Sequence, residues 1–316
     1  MERTREAEIR RKRRARARRI ARKKMRRCTL ISIIAFLIGA VCLGLFIYSN
    51  VQERREANLE RKLQQMFEGE AVQTSARFSL FGSALAEEAV PAPVETQRPI
   101  AQRFTQLYSI NSDIVGWIIA GGDTSDAVVF RDNSYYLDHD FYGESSKSGT
   151  VFVDMQNDSW EDEPYVLVYG HNMKNGTMFG SMNLYRQIDY FRKSTRVQFY
   201  SIYADEPVEF VPFALLDVSM NKSDESYFAL RQYALFDLPE GPERDAQVQA
   251  LIDEICERSL YAIPGLDVTP QDKILGLVTC SYDMDNARLV LYCRALREGE
   301  TPEQMAQLVQ MNIVEK

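Results

Sequence analysis

Cys28–Tyr48 is an unbroken run of 21 uncharged residues, CTLISIIAFLIGAVCLGLFIY. At about 1.5 Å per residue, a helix of that length reaches roughly 31 Å, the thickness of a bilayer's hydrocarbon core. The pattern predicts a transmembrane helix over 28–48. Beyond it, residues 51–70 are charged, with Leu59, Leu63 and Phe67 four apart, and read as a stalk helix. Residues 71–98, rich in Ala, Ser, Glu and Pro and containing Pro91-Ala92-Pro93, read as a flexible linker. A short helix follows over 99–110, with Ile100, Phe104 and Leu107 as its apolar face.

The pattern then changes to short runs rich in Val, Phe and Tyr, bounded by Gly, Asp, Asn or Pro. These are Ala127–Phe130, Thr150–Val153, Tyr165–Tyr169, Val197–Tyr203, Val208–Val218, Lys273–Cys280 and Ala287–Leu296. One helix interrupts them at 243–259, with Val248, Leu251, Ile252 and Ile255 as its buried stripe, and a tail helix is expected near 302–310. Many short strands with few helices predict a mainly β fold, an antiparallel barrel with helical insertions. The expected organisation is a tail over 1–27, a span over 28–48, a stalk and linker over 49–98, a barrel over 99–298 and a helical tail over 299–316.

Charge gives this layout a direction. Residues 1–27 carry 15 Lys and Arg against three Glu, leaving 23 basic and 42 acidic residues in the remainder. Basic residues crowded before an apolar span keep that end in the cytoplasm and send the rest outside. The expected location is therefore the cell membrane, single-pass, with an extracellular head. A cleaved signal peptide would have an apolar region of roughly 7–15 residues and a small-residue cleavage site. Ser49-Asn50-Val51-Gln52-Glu53 offers no such site. The basic tail suits anionic lipid heads, and the acidic remainder argues against nucleic acid as a partner.

Candidate chemistry is scarce enough to search completely. The chain has two histidines, His139 and His171, and beyond the span three cysteines, Cys256, Cys280 and Cys293. Cys256 falls on the expected helix and Cys293 in mid-strand, and both read as packing residues. Cys280 ends the apolar strand KILGLVTC just before the polar turn SYDMDN. Spacing alone leaves two readings of it open, half of a disulfide in an oxidising compartment or a reactive thiol. A Cys256–Cys293 pair would leave it free.

His171 enters a Gly- and Asn-rich loop at a strand end, and His139 sits between two acids in an expected turn. An ordinary thiol needs a nearby cation to become a thiolate at neutral pH, and an imidazole supplies both that charge and a proton shuttle. Arg288 follows Cys280 by eight residues, and a hairpin would return it to the cysteine. A guanidinium always carries its charge, which suits an oxyanion or carbonyl donor. The plain alternative is a surface pair with Asp283 or Asp285. No cluster has metal-ligand spacing and no calcium-loop pattern occurs, so neither metal nor cofactor is expected.

Several segments resemble the sortases. Asn111-Ser112-Asp113-Ile114-Val115-Gly116-Trp117-Ile118 is similar to the signature after their opening helix. Asp132–Phe141, Tyr169-Gly170-His171-Asn172-Met173 with Gly176-Thr177-Met178-Phe179, and Leu277-Val278-Thr279-Cys280 with Arg288–Leu291 resemble class B in particular. The helix at 243–259 agrees with the longer class B insertion. The resemblance spans about residues 97–298.

It implies a closed eight-stranded barrel with peripheral helices and a cysteine transpeptidase. Cys280 would attack a carbonyl in the C-terminal sorting signal of a secreted protein, and a peptidoglycan amine would resolve the thioester. His171 is then the acid/base, Arg288 the oxyanion or substrate donor, and the Ser281 N–H a further donor. Asn133, Leu137 and Thr279, with Tyr227 and Phe228 from the insertion, are the implied substrate contacts. Val278 and Ser281 stand where relatives vary, which leaves the preferred peptide open.

Two alternatives bear on the reading. L,D-transpeptidases and papain-like peptidases carry Ser-x-Gly-Cys or Cys-Gly-Ser-Cys-Trp runs, and neither is present. A non-catalytic anchored module on the same barrel is opposed by the joint presence of Cys280, His171 and Arg288.

Overall fold

A computed structural model of the chain describes residues 2–78, 98–121, 124–281 and 286–316. They form two compact units, Met1–Asn58 and Leu59–Lys316. Helix α1 (Glu2–Phe78) extends through the first unit into the second. Within Ile33–Gly69 it carries one segment long and apolar enough to cross a membrane, and none of that segment's most apolar window is buried. The stretch expected as linker is helical as far as Phe78, and 79–97 lies outside the described residues.

The second unit packs from Leu59 onward, earlier than the Pro99 start read from sequence. Leu63 and Phe67 are buried with Phe104, Leu107 and Trp117 in one apolar cluster. The Phe67 ring stacks on Trp117 at 4.6 Å and 5°, and the Arg103 guanidinium lies 5.1 Å from its centroid. The four-residue spacing of Leu59, Leu63 and Phe67 thus has an internal use, since i, i+4 positions share one helix face.

Helix α2 (Thr105–Ile110) follows a 3-10 turn at Gln102–Phe104, and each buries one residue, Leu107 and Phe104 respectively. The barrel strands are β1 (Ile114–Ala120), β2 (Thr124–Val129), β3 (Val151–Val153), β4 (Tyr165–Tyr169), β5 (Val197–Ser201), β6 (Val208–Ser219), β8 (Ile274–Ser281) and β9 (Ala287–Ala295). They close in the order β1-β2-β3-β4-β8-β9-β6-β5. The eight-stranded closure is as expected, but the barrel is not wholly antiparallel. The β2–β3 and β4–β8 pairings are parallel. Such pairings need a long crossover, which the segments 130–150 and 170–273 supply.

Helix α3 (Ile188–Lys193) precedes β5, and between β6 and β8 lie α4 (Tyr233–Phe236), α5 (Pro242–Arg258) and a two-residue strand β7 (Tyr261–Ala262). Helix α5 has Pro at its first turn, Glu243 and Asp245 near its N-terminus and Arg258 in its last turn, which complement the helix dipole. It buries the expected stripe Val248, Leu251, Ile252 and Ile255. A capping box of Thr301 and Gln304 starts α6 (Pro302–Asn312), and β10 (Val314–Glu315) pairs with β7.

Parity divides the core. Leu275, Leu277, Leu289, Leu291 and Cys293 belong to one cluster with Val166 and Val168. Ile274, Val278, Val290 and Tyr292 face the opposite way and join the α5 stripe with Tyr165 and Leu167. The β4–β8–β9 sheet is therefore dry on both faces along most of its length, as period-2 alternation between two apolar layers requires.

Candidate active site

The second face becomes polar where these strands end. Tyr169, Val278, Cys280 and Arg288 share its parity, and all four line an open cleft of about 180 Å³. Asn133, Leu137, His171, Thr279 and Arg231 line the same cleft. Cys280 stands directly opposite Arg288 in the β8–β9 ladder. Cross-strand partners on one face bring their Cβ atoms within about 4.5–5.5 Å. The hairpin geometry read from an eight-residue separation is thus in register with the thiol. Arg288 donates from Nη1 to its neighbour's carbonyl, Ala287 O, at 3.0 Å. Asp283 and Asp285, its alternative partners, lie outside the described residues.

His171 follows β4, which parallel pairing sets beside β8, with Tyr169 opposite Val278. Its Nε2 is 2.7 Å from the Leu137 carbonyl oxygen. A carbonyl only accepts, so Nε2 carries a proton in this contact and Nδ1 is the nitrogen left to gain or lose one. Leu137 therefore contributes main chain to the histidine as well as an exposed side chain to the rim.

Asn133 is held by two bonds. Its Nδ2 donates to Asp154 Oδ1 at 3.2 Å, and its Oδ1 accepts the Met155 N–H at 2.8 Å. Asp154 also takes Arg231 Nε at 2.8 Å. The carboxylate is fully buried and the guanidinium half-exposed, 0% against 51%. A buried charge is tolerated when paired and hydrogen-bonded, and this one anchors two residues of the cleft wall. Nearby, burial pushes the Tyr169 phenol well above its usual range, so that it stays neutral.

The other candidates fall elsewhere. Tyr227 and Phe228 do not line the cleft, and Phe228 is buried edge-on to Tyr292 under α5. The long insertion reaches the cleft through Arg231, which sequence reading missed because its charge gave no sign of a buried partner 77 residues away. Thr279 lines the cleft but is buried, and its Oγ1 has no hydrogen-bond partner among the described residues. Ser281 ends β8 opposite Ala287. His139 is stacked on Tyr135 at 4.2 Å with Nδ1 2.7 Å from Asp138 Oδ1, away from the cleft lining.

Cys256, Cys280 and Cys293 are all free, and no Cys256–Cys293 pair forms. Cys256 is solvent-accessible on α5, whereas Cys293 is fully buried and burial pushes its thiol far up. Among the described residues, no three His, Cys, Asp or Glu side chains cluster as a metal site would.

An apolar N-terminal helix, a closed eight-stranded barrel and a cleft lined by Cys280, His171 and Arg288 are the features that the resemblance to sortases implies. No family model matches the chain. Sortase B of Listeria monocytogenes is 25% identical over 188 residues, covering 59% of this chain and 70% of that protein. Sortase B of Staphylococcus aureus is 24% identical over 205 residues, 64% of this chain and 78% of the relative. Among solved structures, Clostridium perfringens sortase B is 29% identical with a TM-score of 0.52, covering 61% of this chain and 98% of its own. A Staphylococcus aureus sortase B–substrate complex has a TM-score of 0.59 at 24% identity, covering 79% and 100%. In both sequence and fold the chain is similar to class B sortases.

Proposed function

We propose that the chain is a membrane-anchored cysteine transpeptidase acting on secreted proteins that carry a C-terminal sorting signal. The observation that carries the reading is the ladder pairing of Cys280 with Arg288 in a cleft that His171 also lines. The thiolate of Cys280 attacks a peptide carbonyl carbon, and Arg288 donates to the oxygen as it gains charge. The Ser281 N–H is a second donor to that oxygen. The C–N bond breaks, the leaving amine takes a proton from His171, and a thioester remains on Cys280. An incoming peptidoglycan amine then attacks the thioester carbonyl and returns its proton to His171. The C–S bond breaks and the thiolate is restored. Asn133, Leu137 and Thr279 hold the peptide along the cleft. A Staphylococcus aureus sortase B of similar fold has been solved as a substrate complex, which agrees with a substrate-binding role for the barrel. The apolar helix is the anchor, oriented with its basic end in the cytoplasm.

The test is cleavage of a sorting-signal peptide library by the full chain in detergent, with trapping of the thioester. Cys280→Ala is expected to give neither cleavage nor acyl-enzyme, and full activity in that variant overturns the assignment. His171→Ala is expected to slow turnover by about 10²–10⁴-fold, the range for a general acid/base. Arg288→Ala is expected to cost about 10²–10³-fold, as for a lost oxyanion donor. Near-normal rates in both mean that the partners of Cys280 are misassigned.

A further inference from the structure

The β4–β8 ladder ends two residues before the candidate histidine. Its pairing stops at Tyr169 opposite Val278, and the Gly170 N–H donates to the Val278 carbonyl at 3.1 Å. Alternate residues of a strand present their polar groups to the same edge, so the next acceptor on this edge is the Cys280 carbonyl. No main-chain donor of β4 is left to meet it, because the chain turns away after Gly170. The His171 carbonyl instead accepts from Phe179 N–H at 3.0 Å, and Asn172 bridges to Met178. A side chain completes the missing rung. Asn172 Nδ2 donates to Cys280 O at 2.6 Å.

The amide is fixed from behind. Asn183, on the 3-10 helix Phe179–Arg186, donates from Nδ2 to Asn172 Oδ1 at 2.6 Å and to Gly180 O at 3.1 Å. An NH₂ group only donates, so the acceptor end of Asn172 must face Asn183 and its donor end Cys280. Asn172 is 4% exposed, and hydrogen bonds in such a low-dielectric setting are stronger and more sensitive to a lost partner.

We propose that Asn172, oriented by Asn183, is a positioning residue that sets His171 against Cys280. It is chain neighbour to His171 and is bonded to the main chain of Cys280, so one short link fixes the distance between the loop and the strand end. The peptide unit is planar and trans, so holding the Cys280 carbonyl also sets the direction of the Ser281 N–H. This inference rests on the reading of Cys280 and His171 given under the proposed function.

The experiment compares Asn172→Asp and Asn183→Ala with the parent and with Cys280→Ala, all as full chains in detergent. Peptide cleavage, the pH profile of Cys280 alkylation by iodoacetamide and the thermal midpoint are measured on each. Asn172→Asp keeps the volume but removes the donor, and is expected to lower kcat about 10- to 100-fold with KM little changed, the scale of a small misplacement of reacting groups. Its alkylation profile moves toward that of a simple exposed thiol. Asn183→Ala shows the same changes in smaller measure, and because it leaves Asn172 in place it decides the matter if Asn172→Asp does not fold. Parent-like kcat and alkylation profiles in Asn183→Ala and in folded Asn172→Asp overturn the proposal, as does a loss matched by lost folded protein. An inert Cys280→Ala beside a normal Asn172→Asp defeats this inference alone, whereas an active Cys280→Ala defeats the underlying reading as well.

Discussion

Asp126 stands on β2 opposite Ile118 of β1 and shares a face with Thr124 and Val128. It is 9% exposed, and its Oδ2 is buried without a hydrogen-bond partner among the described residues. Burial alone pushes its pKa from 3.8 to about 7. The folded chain therefore holds this proton more tightly than the unfolded chain does. Stability then falls as pH rises from about 4 to about 7, and the full penalty applies above that window. Three units at about 1.4 kcal/mol each set an upper bound of about 4 kcal/mol.

Asp126→Asn keeps the shape and removes the charge. It is expected to stabilise the head by up to about 4 kcal/mol at pH 8, and by little at pH 4. The assay is urea unfolding of the full chain in detergent at both pH values, followed by tryptophan fluorescence. Trp117 and Trp160 are the chain's two tryptophans, both buried in the head, so the signal reports this unit and not the helix in the micelle. Other titrating groups cancel in the difference between variant and parent. A difference that does not change with pH, or one larger at pH 4 than at pH 8, refutes the reasoning.

Two further outcomes test the packing. Phe67→Ala is expected to lower the urea midpoint by the equivalent of about 3–5 kcal/mol, the cost of emptying a buried aromatic site; an unchanged midpoint means the helix end does not dock on Trp117. Gly149→Ala is expected to cost about 1 kcal/mol or more, because φ is +61° and a Cβ there would run into the Tyr136 carbonyl oxygen, which also accepts the Thr150 N–H at 2.9 Å. A thermal melt of the variant measures it, and a parent-like midpoint rejects the strain.

What the sequence disclosed was local. The α5 stripe, the β8–β9 hairpin and the strand ends bearing Cys280 and His171 follow from periodicity and turn chemistry within a few residues. Strand β1 was hidden because IVGWIIA is apolar on both faces. Ile118 and Ala120 meet one cluster and Trp117 another, where Phe67 arrives from α1. The parallel pairings, the Arg231–Asp154 ion pair and the reach of Asn172 across 108 residues all depend on how distant segments meet. Composition carries no trace of that. Their place in the insertion makes Tyr227 and Phe228 groove candidates, but an aromatic there serves equally to close the layer beneath α5, as Phe228 does.

Which residue of β8 presents its side chain to the cleft is in the end a matter of register. Cys280 reaches the cleft because it shares parity with Ile274, Gly276 and Val278, whereas Thr279 beside it is buried. A slip of one residue would exchange them. Hydrophobic burial alone does not forbid the slip, since β8 is apolar on both faces. What forbids it is shape. Gly276 lies opposite Tyr292 in the ladder, and a Cβ at 276 would come 3.1 Å from the Tyr292 ring and run into Leu167. The ring needs a glycine beneath it, and no other residue of β8 is one. Tyr292 is itself fixed, its hydroxyl 3.1 Å from that of Tyr165, which donates to Leu230 O at 2.8 Å. The glycine–tyrosine pair sets the β8–β9 register four residues before the thiol. The ladder carries that register outward to the Cys280–Arg288 pair.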